Sequence, residues 1–436
     1  MRIAILVDQF PRLSETFILN QVTGLIDRGH EVDVYPIRES DIGSHREEAE
    51  RYQLAQRTHC PPEFPVNRAW RYIKGLGLLA GHAWKNPPAA RACLNVLRYG
   101  RPAASMNLFY RAVPFLGRQP YDIIHGHYGP SGLRGDLMRQ LGASDGALVT
   151  TFYGKDISAH VRRYGGDVYR DLFERGNRFL VLSTCMKERL VALGCDPQRI
   201  VIHHLGIDCR RFPFRSQPNT TSGPRRILTI ARMVEKKGLA YGLEAVAQLV
   251  RGARAIEYHI IGDGVLRPDI EARIASFRLH DVVQLHGWCE QHEVRQMLAS
   301  SDMLLVPSVT AADGDEEGTP TVILEALACG LPVVATRHSG IPGMLPEPHR
   351  TLLAPERDPE ALAEALAHLL DRPQFRKELA HPGRMHVERE YDINMLNDRL
   401  VEIYETACRA SGGMPPLVMP HAITGDDSAG ARRAAA

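Results

Sequence analysis

The 436-residue chain lacks any run of about 18 apolar residues, the length that a membrane-crossing helix requires. Its opening, MRIAILVDQF, has no basic start followed by an apolar core, so it reads as a first strand and not as a secretory signal. The chain is therefore expected to stay in the cytoplasm. CxxC pairs and Cys/His clusters at zinc spacing are also missing. The eight cysteines are scattered, as suits free buried thiols in a reducing compartment. Neither an EF-hand loop nor a P-loop is present. The most uneven absence is of acid: between Val66 and Arg118 there are nine Lys/Arg and no Asp or Glu, while the remainder carries 44 basic against 51 acidic residues. The small net charge of +2 thus hides one basic face, which is expected to meet something acidic. No nucleic-acid partner is expected.

What is present is the composition of a soluble globular protein, 44% apolar and 24% charged, at a length that suits two domains. A strand at Ile3–Val7, a helix over about 14–28 and a strand at Glu31–Ile37 open a βαβ pattern, and strands recur at YDIIHGH, ALVTTFYG, RFLVLS and RIVIHH. Residues 209–224, CRRFPFRSQPNTTSGP, have no periodicity and read as an interdomain linker. The alternation restarts at RILTIAR and runs through EYHIIGDG, VVQLHGW and DMLLVPS to PVVAT. Repeated strand–helix units predict an α/β protein with two parallel sheets covered on both faces, binding its ligand at the carboxyl ends of the strands, in a cleft between the two domains. The predicted boundaries are 1–208, the 209–224 linker, 225–385, closing helices at 386–409 that pack back toward the N-terminal domain, and a disordered tail at 410–436. A helical insertion at about 66–118 carries the basic face.

The stretch EGTPTVILEALACGLPVVAT, 317–336, sets two glutamates eight positions apart. Pro320 suits the first helical position, Thr319 the N-cap and Gly330 the residue past the end, predicting a helix over about 320–329. Glu317 then lies in the loop ahead of the helix. Glu325 lies roughly 7.5 Å along the axis from Pro320, at about 1.5 Å per residue. Two carboxylates flanking the positive end of a helix suit an elongated ligand with hydroxyls at each end and phosphate in the middle, as in a nucleotide sugar. The same spacing also occurs on ordinary surface helices with two solvated acids. Arg232 and Lys237 follow the RILTIA strand, where a forked and a point cation suit a diphosphate, or are solvated loop charges. His127 follows the YDIIHG strand and is the better candidate for a substrate hydroxyl than His125, which is expected in the core, although a lone histidine at a strand end is more often structural. Lys155 and Asp156 follow another strand past a glycine. Asp313 and Asp315 in DGDEEG are an Asp-x-Asp that reads more readily as a solvated acidic loop than as a metal site.

Taken together these residues resemble the retaining glycosyltransferases of family 4, whose GT-B fold consists of two Rossmann-like parallel-sheet domains facing across a cleft. EGTPTVILEALACGLPVVAT looks like that family's Glu-x7-Glu signature and ARMVEKKGL like its Arg…Lys-Gly element; IIGDGVLR, HLGID and PERDPEALAEAL also fit. FPRLSETFILNQVTGLIDRGHEV with TFYGKDIS resembles a narrower group, the colanic-acid-type exopolysaccharide glycosyltransferases. The resemblance spans about residues 1–408. It implies that the N-terminal domain receives the acceptor and the C-terminal domain the nucleotide sugar, with closure about the linker excluding water. Glu317 would face the donor sugar, with Gly318, Thr319, Pro320 and Thr321 beside it. Glu325 would hold the ribose, Arg232 and Lys237 the diphosphate, with Gly264 also at the donor, and His127 would line the sugar site. Ser14, Glu15, Thr16, Lys155 and Asp156 are implied candidates for the acceptor side. The similarity further implies retention of anomeric configuration, with the leaving phosphate assisting proton removal, and no metal or other cofactor. Two departures from the family pattern are Gly343, where a glutamate is common, and Tyr153, where histidine is common.

Independently of that signature, WRYIKGLGLLAGHAWK, 70–85, sets Trp70, Ile73, Gly77, Ala80 and Trp84 on one helical arc and Arg71, Lys74, His82 and Lys85 on an adjacent one, with Pro87-Pro88 ending the helix. This arrangement suits an interfacial helix on anionic lipid, and equally a core-packed helix with a solvated basic edge. The expectation is a cytoplasmic hexosyltransferase, peripheral at the inner face of the membrane, that moves sugar from a UDP- or GDP-sugar to a lipid-linked or oligosaccharide acceptor. The alternatives are a nucleotide-sugar epimerase of the same fold and a catalytically silent sugar-nucleotide-binding partner of a glycan assembly complex.

Overall fold

A computed structural model of the chain describes residues 1–12, 15–39, 46–215 and 223–411. Its first sheet contains β1 (Arg2–Phe10), β2 (Glu31–Glu39), β3 (Ile123–His127), β4 (Ala147–Thr151), β5 (Arg178–Val181) and β6 (Ile200–Ile202), in the order β2-β1-β3-β4-β5-β6. The second contains β7 (Arg225–Ile230), β8 (Ile256–Ile261), β9 (Val283–Gly287), β10 (Met303–Val306), β11 (Val333–Thr336) and β12 (Leu353–Ala354), in the order β12-β11-β10-β7-β8-β9. The pairs of β1 with β2 and β3, of β7 with β8 and β10, and of β10 with β11 are parallel. Such strands need apolar side chains on both faces, and residues 3–7 of β1 and all of β3, β4, β10 and β11 are buried.

The strand orders place the functional residues. Each sheet starts with an inner strand, grows to one side, then returns to the other side of that strand. The connections therefore diverge after β1 and β3 in the first sheet and after β7 and β10 in the second. At such switch points the loops beyond the carboxyl ends leave room for a ligand. The described residues divide into two compact units, one within Met1–Thr150 with Asp171–Arg178 and residues 404–411, the other within Thr151–Arg170 with Phe179–Ile403.

Several element boundaries differ from the sequence expectation. The first helix is Thr16–Asp27, so Glu15 and Thr16 stand at its start. Ser14, residues 216–222 of the linker and the tail from 412 lie outside the described residues. The closing helix is longer than expected, Ile393–Ser411. The helix expected over 70–85 begins at Arg68, where the Asn67 side chain accepts the Trp70 amide, and ends at His82, followed by a 3-10 turn at Ala83–Lys85. Pro87 does not terminate that helix. It opens the next one, Pro87–Cys93, because its missing N–H costs nothing in a first turn.

Candidate active site

The loop after β7 carries Arg232, Lys236 and Lys237, and the loop after β10 carries Asp315, Glu316 and Glu317. Gly238 ends the first loop at φ +61°, with no room for a side chain against the Pro307 carbonyl, so the Lys236–Lys237 turn is held tightly to the end of β10. Lys237 Nζ is 2.9 Å from Glu317 Oε2, and Lys236 Nζ lies 3.8 Å from Oε1. Glu317 is buried, 5% exposed. Burial pulls its carboxyl up, but the Lys237 and Lys236 ammonium groups outweigh it and the net direction is down, so the side chain is an ionised carboxylate. The neighbouring acids are paired as well. Asp315 meets Lys236 at 3.1 Å, and Glu316 accepts two bonds from the Arg189 guanidinium at 3.0 and 3.3 Å.

Glu317 is fixed through its backbone too. Its N–H donates to His338 Nε2 at 3.0 Å, which requires that nitrogen to be unprotonated, and the opposite nitrogen, Nδ1, is 2.6 Å from Glu356 Oε1. His338 is therefore a neutral imidazole that donates to Glu356. The Glu356 carboxylate also accepts the Thr310 amide at 2.9 Å, tying the start of the same loop. Burial would raise the Glu356 carboxyl, but the Thr310 and His338 bonds carry it below its usual range. Next in the chain, a methyl on Gly318 would collide with the Tyr153 carbonyl, so only glycine fits there.

The helix after this loop is Thr321–Ala328. Pro320, not Thr319, holds the N-cap position, and no side chain caps it. Proline, with its ring-fixed φ and no N–H, takes the extended conformation at −72°, 94°, which starts the helix one residue later than expected and leaves its first amides without a side-chain acceptor. Lys237 and Pro320 share a crevice with Ser308. One turn in, partly buried Glu325 is pushed up to about 7 by burial, against a hydrogen bond from Thr321 and the pull of Arg295. Arg232 is exposed. Gly264 lies in a loop zipped to the Arg232 loop by the Met233 amide on the Asp263 carbonyl at 2.8 Å, and a side chain on it would meet the Met233 backbone. Glu317, Gly318, Thr319, Pro320, Thr321, Glu325, Arg232, Lys237 and Gly264 thus lie around one switch point.

Lys155 and Asp156 fall in the same compact unit. Lys155 is exposed, whereas Asp156 is buried and accepts the Tyr153 and Gly154 amides at 3.0 and 2.9 Å, which fixes the turn that carries Tyr153. In the first unit, His127 ends β3 fully buried, and burial lowers it to about 3, so it is neutral near neutrality. It stacks on His125 at 4.4 Å. His125 lies in the core, bonded to Tyr404 at 2.6 Å. Tyr128 reaches Glu15 at 3.3 Å, joining the loops after β1 and β3. Burial raises the Glu15 carboxyl, partly offset by Arg12 at 3.2 Å. Sequence reasoning missed Lys236, His338, Glu356, Arg189 and Tyr128. His338, Glu356 and Tyr128 follow strand ends and Lys236 stands beside Lys237, so these four could have been found on that signal; Arg189 depends on long-range pairing.

Two parallel six-stranded sheets of this kind are the architecture of the GT-B glycosyltransferases. Solved structures of this architecture include Anabaena Alr3699/HepE in complex with UDP (TM-score 0.67, 14% identity, 93% of this chain and 100% of that one). Sucrose-phosphate synthase of Thermosynechococcus elongatus is similar as well (TM-score 0.68, 18% identity, 94% and 100%). Residues 14–211 match the family model described as Glycosyltransferase Family 4, and residues 224–372 the model described as Glycosyl transferases group 1. The chain is 35% identical over 416 residues to a protein of Salmonella typhimurium strain LT2 named as a colanic acid biosynthesis glycosyltransferase, WcaL, covering 93% of this chain and 100% of that one. It is 34% identical over 409 residues to the amylovoran biosynthesis glycosyltransferase AmsK of Erwinia amylovora, covering 93% and 99%. The chain belongs to the family 4 glycosyltransferases.

Proposed function

We propose that this enzyme transfers a hexose, with retention, from a UDP- or GDP-sugar to a lipid-linked or oligosaccharide intermediate of exopolysaccharide assembly, and works peripherally at the inner face of the cytoplasmic membrane. The observation that carries the donor assignment is the convergence, at the β7/β10 switch point, of Lys236, Lys237 and ionised Glu317 ahead of a helix with no side-chain cap. The first amides of that helix, with Lys237 and Arg232, suit a diphosphate, which would also compensate Lys237 when it turns from Glu317. Glu317 then accepts hydroxyls of the sugar, and Glu325 accepts those of the ribose. Anionic oxygens on the leaving diphosphate, stabilised by these cations, take the proton of the attacking hydroxyl, so the reaction uses no dedicated protein base.

The reading includes no metal. Asp315 is held by Lys236, and Asp313 accepts the Asp315 amide, so both carboxylates already have partners. The exopolysaccharide assignment is supported by WcaL and AmsK, which match nearly full length.

The test is a thermal-shift and released-nucleotide screen of UDP-, GDP- and ADP-sugars in EDTA, followed by NMR of the anomeric centre in the product. One donor should stabilise the protein, release its nucleoside diphosphate and give a product of unchanged configuration. An inverted product, or turnover abolished by EDTA and restored by a divalent cation, would refute the corresponding part.

A further inference from the structure

An enzyme working peripherally at a membrane needs a surface that meets the lipid, and this inference rests on that reading. The helix Arg68–His82 is packed inside out. Its contact with the rest of its unit is made by Gly75 against Met106 and Tyr110, by Arg71, whose carbonyl accepts the Tyr110 hydroxyl at 2.8 Å, and by Tyr72, whose hydroxyl donates to the Ala104 carbonyl at 2.8 Å. At about 100° per residue, the arc opposite Gly75 is Trp70, Ile73, Gly77 and Ala80, with Leu76 at its edge. That outward arc holds no charged residue. Trp70 is 58% exposed, Ile73 60% and Leu76 60%, and Trp84 in the following turn is 71% exposed.

The cations expected beside this arc are arranged differently from the sequence expectation. Arg71 donates to the Pro65 and Val66 carbonyls, Lys74 to the Glu63 carbonyl, and His82 Nδ1 lies 3.1 Å from the Leu78 carbonyl. At 100° per residue Arg71 and His82 fall on the Gly75 side of the helix and Lys74 on its flank, where its ammonium also lies 3.6 Å from the Glu63 carboxylate. Arg68, Lys85, Arg91, Arg101 and Arg111 remain exposed in the acid-free segment. Apolar groups aimed at solvent would be costly on an isolated surface. In a segment of basic charge without acid, their complement is an apolar layer beneath anionic headgroups.

We infer that the outward arc Trp70–Ile73–Leu76–Gly77–Ala80, with Trp84, is a docking surface for an anionic lipid bilayer.

The full chain carrying Trp288→Phe keeps tryptophan only at 70 and 84, so its fluorescence reports this face. It should shift to the blue and float with phosphatidylcholine vesicles containing phosphatidylglycerol, but not with phosphatidylcholine alone, and 1 M salt should release it. Ile73→Asp should reduce flotation at least tenfold. Because residue 73 is exposed, the thermal midpoint and vesicle-free nucleotide release of that variant should be unchanged. Unshifted fluorescence, undiminished flotation of Ile73→Asp, or self-association through this face in sedimentation velocity without lipid would overturn the inference. Donor turnover without vesicle binding would sink the docking surface alone. Vesicle binding without stabilisation or turnover by any donor would leave the surface standing and refute the donor assignment.

Discussion

Replacing Glu325 by Gln should stabilise the protein and weaken its grip on the donor. Burial of the carboxyl on the Thr321–Ala328 helix lifts it from 4.5 to about 7, so the folded protein binds this proton more tightly than the unfolded chain. Below about pH 4.5 the group is protonated in both states and costs nothing. As pH rises toward 7 the unfolded carboxyl ionises freely while the folded one resists, so stability falls. Above 7 the loss is complete, about 3 kcal/mol at ~1.4 kcal/mol per unit. Glutamine has no such proton, so Glu325→Gln should gain up to about 3 kcal/mol at pH 8 and less than about 1 kcal/mol at pH 5. Donor binding should move the other way. If ribose hydroxyls donate to the ionised carboxylate, losing a charged acceptor costs about 1.5–3 kcal/mol, or roughly 10- to 150-fold in Kd. Wild-type affinity should rise with pH through about 7, and that of the variant should stay flat. Urea unfolding at pH 5 and 8 with calorimetric donor titration at both would check this. Equal stability of the two proteins at pH 8, or unchanged donor affinity, would refute the reasoning.

Two further substitutions probe the supports of Glu317. His338→Ala removes the acceptor of the Glu317 amide, costing about 1–3 kcal/mol; hydrogen exchange at that amide should accelerate, and unchanged protection would contradict the assignment. Lys237→Met leaves Glu317 buried with only Lys236, 3.8 Å away. Urea unfolding should show a destabilisation toward the lower end of about 3–5 kcal/mol, relieved when Glu317→Gln is added, and additive losses in the double variant would argue against a coupled pair.

Much of the fold was legible because parallel strands leave continuous apolar runs, such as IAILV in β1 and MLLV in β10, bounded by polar strand ends. Arg232 and Lys237 were singled out because they follow the end of β7, and Glu317 because it stands ahead of a helix, eight positions before Glu325. What the sequence did not disclose were partners set by three-dimensional closure. Glu356 is 39 residues from Glu317 and reaches it only through His338. Arg189 lies 127 residues from Glu316. The basic segment shows the limit from another side. The periodicity identified an apolar arc, but which arc faces inward was decided by Gly75, whose lack of a side chain lets Met106 and Tyr110 approach.

The pairing of Lys237 with a buried Glu317 also shapes how such a chain can change over generations. A single substitution at Lys237 leaves the buried Glu317 carboxylate with the more distant Lys236 alone, and one at Glu317 leaves Lys237 without its carboxylate, steps that selection works against before a second change arrives. The two positions are therefore expected to drift together or remain fixed among descendants. Variation in sugar preference is then left to loops around them that can be altered one residue at a time.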